Sequence, residues 1–175
     1  MREPELIHQA QSAEDYAAFA QLVREYVLWF GARYQQSARF VEQVFGFQGL
    51  EQELVGLAAM YGPPHGRTFL AVGDGEWRGG GAYRMLADGS CEMKRLYVPE
   101  RFQGRGIGRR LAETLIRAAR ADGYAVMRLD TGKRLTEAIA LYRRLGFREC
   151  PPHRVYPPEL MHHLAFLELS LDPEI

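Results

Sequence analysis

The chain has 175 residues, nearly half of them apolar, which suits one domain, spanning 1–175, with a core of its own. Its 22 basic and 22 acidic residues cancel, so no global field draws it to nucleic acid or to an anionic membrane surface. No stretch approaches the roughly 18 uninterrupted apolar residues of a membrane span, Met1–Gln11 lacks the apolar run of a leader, and Cys91 and Cys150 lack metal-ligand spacing; a cytoplasmic protein with reduced thiols and no metal is expected.

Leu6–Gln11 reads as a short opening strand, and Ser12 with Asp15 three residues on is a helix N-cap signal. The helix it opens runs to about Phe30, with Tyr16, Phe19, Ala20, Val23, Val27 and Phe30 forming one buried stripe. Two shorter helices are expected over Ala38–Phe45 and Glu51–Met60, the second ended by Gly62, Pro63 and Pro64. The period then changes to that of strands. Thr68–Val72, Arg78–Leu86 and Cys91–Val98 form a meander whose turns are Asp74-Gly75 and Asp88-Gly89, and Pro99 stops its last strand. Ile107–Ala121 is strongly amphipathic and ends at Gly123. A strand over Ala125–Asp130, a helix over Leu135–Leu145 closed by Gly146, and an alternating strand over Leu164–Leu171 complete a mixed α/β domain.

The segment that carries chemistry is Gln103-Gly104-Arg105-Gly106-Ile107-Gly108, between a strand and a helix start. Amides at a helix start lack partners, glycines allow close approach, and the helix dipole favours an anion, so a diphosphate fits here. Arg101, Arg105 and Arg109 surround the loop, either pairing with phosphates or standing as ordinary solvated charges. No Lys-Ser or Lys-Thr follows the last glycine, which excludes a P-loop. A dinucleotide fingerprint needs three residues from its second to its third glycine, and a strand before it without Glu92, Lys94 and Arg95.

The segment around this loop resembles the acetyl-CoA binding core of the GCN5-related N-acetyltransferase superfamily. Gln103, Gly106 and Gly108 match the family's loop pattern, Glu92-Met93-Lys94-Arg95-Leu96-Tyr97-Val98 resembles its fourth strand, and Leu141-Tyr142-Arg143-Arg144-Leu145-Gly146-Phe147 its late Leu-Tyr-x-x-x-Gly-Phe signature. The resemblance covers about 91–147. It implies a central, mostly antiparallel sheet with a splayed parallel pair, flanked by helices, and acetyl-CoA as acyl donor. The cofactor-binding residues it implies are Leu96, Tyr97, Val98, Gln103, Gly104, Arg105, Gly106, Ile107, Gly108, Arg109 and Thr131, the last standing where many members carry an Asn. Met93 is apolar in one phase and Leu96 and Val98 in the other, a slip that either a β-bulge near Lys94 or Arg95 or a strand buried on both faces would give.

The resemblance further implies transfer of an acetyl group to a primary amine of a small molecule or amino acid, by direct attack in a ternary complex. Tyr142 would be the acid that protonates the thiolate, a backbone N–H at Leu96 or Val98 would meet the oxyanion, and Glu92 would be the base or a structural carboxylate. The acceptor segments are expected at about 30–66 and 150–163, where Arg33, Tyr34, Arg154 and Tyr156 can recognise a carboxylate or merely decorate the surface. The alternative is a non-catalytic coenzyme A binding or regulatory module of the same fold. The final strand can pair across a homodimer or inside one monomer.

Overall fold

The computed structural model describes residues 6–34 and 38–172; Met1–Glu5 of the N-terminal segment, residues 35–37 of the expected acceptor segment and residues 173–175 lie outside the described residues. Strand β1 (Leu6–Gln9) leads to helix α1 (Ala13–Arg33), whose start the Ser12 capping box fixes. The Asp15 N–H donates to Ser12 Oγ at 3.1 Å, and the Ser12 N–H donates to Asp15 Oδ2 at 3.0 Å. Helix α2 (Ala38–Phe47) follows, and the single helix expected over Glu51–Met60 is two, α3 (Leu50–Val55) and α4 (Leu57–Tyr61). Gly56 is the break: a poor helix former, it leaves helical dihedrals at φ −116° and ψ 28° and serves as the end of one helix and the start of the next.

The meander β2 (Gly66–Gly73), β3 (Glu76–Met85) and β4 (Cys91–Tyr97) is followed by α5 (Ile107–Ala121), β5 (Val126–Gly132), α6 (Thr136–Arg144), β6 (Arg148–Glu149), α7 (Pro158–Met161) and β7 (Leu164–Ser170). The two-residue β6 and the single-turn α7 are too short for periodicity to register. The strands form one sheet in the order β1-β2-β3-β4-β5-β7-β6, in which β4 and β5 are the parallel neighbours and the other pairings are antiparallel.

Strand alternation sends Ala71, Tyr83, Met93, Leu129 and Leu167 into the core beneath α5, and Leu70, Ala82 and Phe166 to the opposite face, under α1 to α4 and α7. Helix α5 contributes Ile107, Leu111, Leu115, Ile116 and Ala119, all buried, along the stripe its sequence shows. Full burial of one leucine there contributes about 1.5–3 kcal/mol. The sheet is thus held from both faces, and the place where β4 and β5 separate lies between two packed layers.

Candidate active site

β4 and β5 pair only through Cys91–Met127 and Glu92–Arg128. Beyond these residues β5 gives its ladder to β7 as far as Gly132, while β4 stays on β3. The β5-facing edge of β4 from Met93 onward therefore lacks a strand partner among the described residues, which leaves its backbone groups open to a ligand. On the other edge, Ala82 opposes Lys94 and Gly80 opposes Tyr97, so three steps on β4 answer two on β3. Arg95 takes up the extra residue at φ 57°. This is one of the two arrangements that the slip in apolar alternation allowed, and the other, a strand buried on both faces, holds as well, with all of β4 but Leu96 buried.

A left-handed arginine costs of order 1–3 kcal/mol, so something must hold it. Its guanidinium, 3% exposed, donates to Glu53 Oε1 at 2.8 Å and Oε2 at 2.7 Å. Tyr61 Oη also donates to Glu53, at 2.9 Å, and the guanidinium carbon lies 5.3 Å from the centroid of the Phe45 ring. The bulge is thereby tied to α2, α3 and α4.

After Pro99, a 3-10 turn (Glu100–Phe102) leads into the glycine loop. Gly104 and Gly106 both sit at φ 76°, where a side chain would strain the backbone, and Gly106 is the N-cap of α5. No side chain caps this helix, and its first backbone bond runs from the Arg110 N–H to the Gly106 oxygen at 3.1 Å. The N–H groups of Ile107, Gly108 and Arg109 thus have no partner within the helix, at the end of its dipole that favours negative charge. Gln103 Nε2 donates to the Val98 oxygen at 2.9 Å and folds the loop back on the strand end. Arg101 pairs with Glu25 and Glu76, Arg105 donates to the Arg101 oxygen, and Arg109 pairs with Glu113 at 2.8 Å.

A cavity of about 470 Å³ runs from this loop, through the gap between β4 and β5, to the face under α1 and α2. Among residues expected from the sequence, Leu96, Tyr97, Val98, Gln103, Gly104, Gly106, Ile107, Gly108, Arg109, Thr131 and Tyr142 line it; Arg105 and Glu92 do not. The Tyr142 ring packs edge-on against Phe147 at 5.6 Å. Burial, with Tyr26 and Asp130 nearby, pushes its phenol above the ordinary tyrosine value. The Tyr97 phenol is pushed up to about 12, by burial first and then by Glu25 and Glu100.

Glu92 is fully buried on the α1 side of the sheet. His153 Nε2 lies 2.9 Å from its Oε1, Arg154 donates to the same oxygen, and Arg84 Nε donates to Oε2 at 3.1 Å. Burial alone would raise the carboxyl pKa, yet Lys94, His153, Arg154 and Arg84 together hold it below the ordinary range. Asp130 is the second carboxylate of the cluster: Lys94 Nζ donates to Oδ1 at 3.4 Å and Tyr156 Oη donates to Oδ2. Burial raises its pKa as well, and Lys94 turns the net shift downward. Glu92, Asp130 and His153 bring donor atoms within 4.8 Å of one another, but a metal ion there would have to displace the cations already paired with both carboxylates.

The four acceptor candidates divide. Tyr34 Oη accepts the Arg134 backbone N–H, Arg154 is committed to Glu92 and Tyr156 to Asp130. Arg33 lines the cavity, bonded to Glu137 at 2.8 Å. Sequence reasoning gave no acceptor-site role to Lys94, Asp130 or Gln48, which also line it. The signal was present in Glu92 and Lys94, charged residues two apart and so on one face of a strand.

An N-acetyltransferase of Schizosaccharomyces pombe is 32% identical over 142 residues, covering 80% of each chain. The crystal structure of an acetyltransferase from Streptococcus agalactiae superposes with a TM-score of 0.71 at 14% identity, covering 95% of this chain and 98% of that one. An N-acetyltransferase from Thermoplasma acidophilum in complex with coenzyme A superposes with a TM-score of 0.69 at 17% identity, covering 96% and 99%. Residues 45–147 match the model of the acetyltransferase (GNAT) family, and the chain belongs to that family as an acetyl-CoA-dependent acyltransferase.

Proposed function

We propose that the protein transfers an acetyl group from acetyl-CoA to the primary amine of a small molecule or amino acid, with both substrates bound at once. The observation that carries this reading is the continuity of the cavity, which joins the uncapped start of α5 to the face under α1 and α2 through the gap between β4 and β5. The residues fit the donor: the amides of Ile107, Gly108 and Arg109 would hold its diphosphate, and the free edge of β4 with Thr131 opposite would hold its pantetheine arm. Acetyl-CoA supplies a thioester carbonyl to attack and a thiolate to leave.

The chain's own residues do the rest. A β4 backbone N–H at Leu96 or Val98, beside the bulge, would meet negative charge as it develops on the carbonyl oxygen. Tyr142 would deliver its proton to the departing sulfur, and the proton that the amine loses restores the phenol through solvent, so protons balance. Burial keeps that phenol protonated at neutral pH. Glu92 acts on this reading as the anchor of a buried network and not as the base, since four groups stabilise its charged form and it does not line the cavity. The test is thiol release from acetyl-CoA with a panel of amino acids, small amines and peptides. Tight coenzyme A binding with no turnover on any acceptor would favour the non-catalytic module instead.

A further inference from the structure

Two polar groups on the acceptor side of the cavity have bonding capacity left over. Lys94 offers three donors, and its side chain is 5% exposed. Its contacts are Asp130 Oδ1 at 3.4 Å and Glu92 Oε1 at 3.9 Å, both long beside the roughly 2.7–2.9 Å of a charge-assisted bond. Those carboxylates cannot close on it, because Arg84, His153 and Arg154 hold Glu92, and Tyr156 holds Asp130. Gln48 Oε1 is buried with no hydrogen-bond partner among the described residues. Both side chains line the cavity.

The charges point the same way. Lys94, Arg84 and Arg154 are three cations facing two carboxylates, Glu92 and Asp130, so the cluster carries a surplus positive charge even with His153 neutral. Arg84 and Arg154 are about a quarter exposed and Lys94 is buried, so it is at Lys94 that a counterion is favoured. The same cavity wall includes the apolar side chains of Val44, Phe45 and Leu164.

We propose that Lys94 binds a carboxylate on the acceptor, so that the preferred substrates are amino acids with apolar side chains and not simple amines. Lys94 donates its spare N–H groups to the carboxylate, Gln48 Oε1 accepts from the amino group, and the side chain lies against Phe45 and Val44. The proposal rests on acetyl transfer to small amines as read above, and it names what distinguishes one amine from another.

The experiment compares L-phenylalanine with phenethylamine, and L-leucine with 3-methylbutylamine, by thiol release at equal concentrations of neutral amine. Each amino acid is expected to exceed its partner in kcat/KM by about tenfold or more, through KM, as one charge-assisted pair would give. The ratio falls towards one in Lys94→Met and is kept in Lys94→Arg. Equal rates within each pair, or a preference unchanged in Lys94→Met, overturn this inference and leave amine acetylation standing. No release from any acceptor overturns the small-amine reading itself. Should Lys94→Met not fold, the wild-type protein loaded with coenzyme A decides by calorimetry. There 3-phenylpropionate binds about tenfold or more tighter than 3-phenylpropanol if Lys94 takes a carboxylate, and no tighter if it does not.

Discussion

Replacing Tyr142 by Phe removes one hydroxyl and leaves the ring, which is 7% exposed and packed edge-on against Phe147. Packing is therefore retained, and the melting temperature is expected to move by no more than about 2 °C, the scale of a few tenths of a kcal/mol. Catalysis is a different matter. A positioned general acid contributes about 10²- to 10⁴-fold, or roughly 2.7–5.5 kcal/mol of barrier, so kcat should fall by that factor while coenzyme A affinity stays unchanged. The pH profile provides a second readout. Burial raises the Tyr142 pKa above its ordinary value of 10.0, so the acid form persists past that pH. The wild-type rate should then climb with pH as the amine deprotonates, with no alkaline fall below about pH 10. Thiol release measured from neutral pH upward tests both points. A Phe variant within about threefold of wild type, about 0.65 kcal/mol, would refute the assignment, because at most about a quarter of the expected effect would remain.

Gly106→Glu places a side chain at φ 76° and a negative charge at the uncapped start of α5; calorimetry should show coenzyme A affinity reduced by at least about a hundredfold, beyond any loss in Gly106→Ala. Glu53→Gln leaves the Arg95 guanidinium buried without its counter-charge. It should cost about 3–5 kcal/mol in urea unfolding and lower kcat as the bulge relaxes. Glu92 has a folded-state pKa below its ordinary 4.5, so its contribution to stability is complete above that pH and is lost as pH falls towards the folded value. Urea midpoints followed downward from neutral pH should therefore drop through this range in the wild type, and more shallowly in Glu92→Gln.

The donor side of the site was legible because it is local. Ser12 and Asp15 spell a helix start, Gly104, Gly106 and Gly108 spell the turn into α5, and the phase slip after Met93 left open a bulge, found at Arg95, or a strand buried on both faces, which β4 also is. The acceptor side was not, since it is assembled from residues far apart in the chain. Glu53 reaches Arg95 across 42 positions, and Arg154 reaches Glu92 across 62. Arg154 and Tyr156 read from the sequence either as ligands for an acceptor carboxylate or as surface groups, and in the fold they bond the protein's own Glu92 and Asp130. Lys94, between two carboxylates already held by others, acquires its meaning only when β4, β5 and the loop before β7 come together.

The central claim is that one cavity holds donor and acceptor together, and initial-rate kinetics with both substrates varied tests it most directly, with the acetylated amine identified by mass spectrometry. Direct attack predicts intersecting double-reciprocal lines and one acetylated amine per thiol released. Parallel lines, the signature of an acetylated enzyme, or thiol release without an acetylated amine, would contradict it.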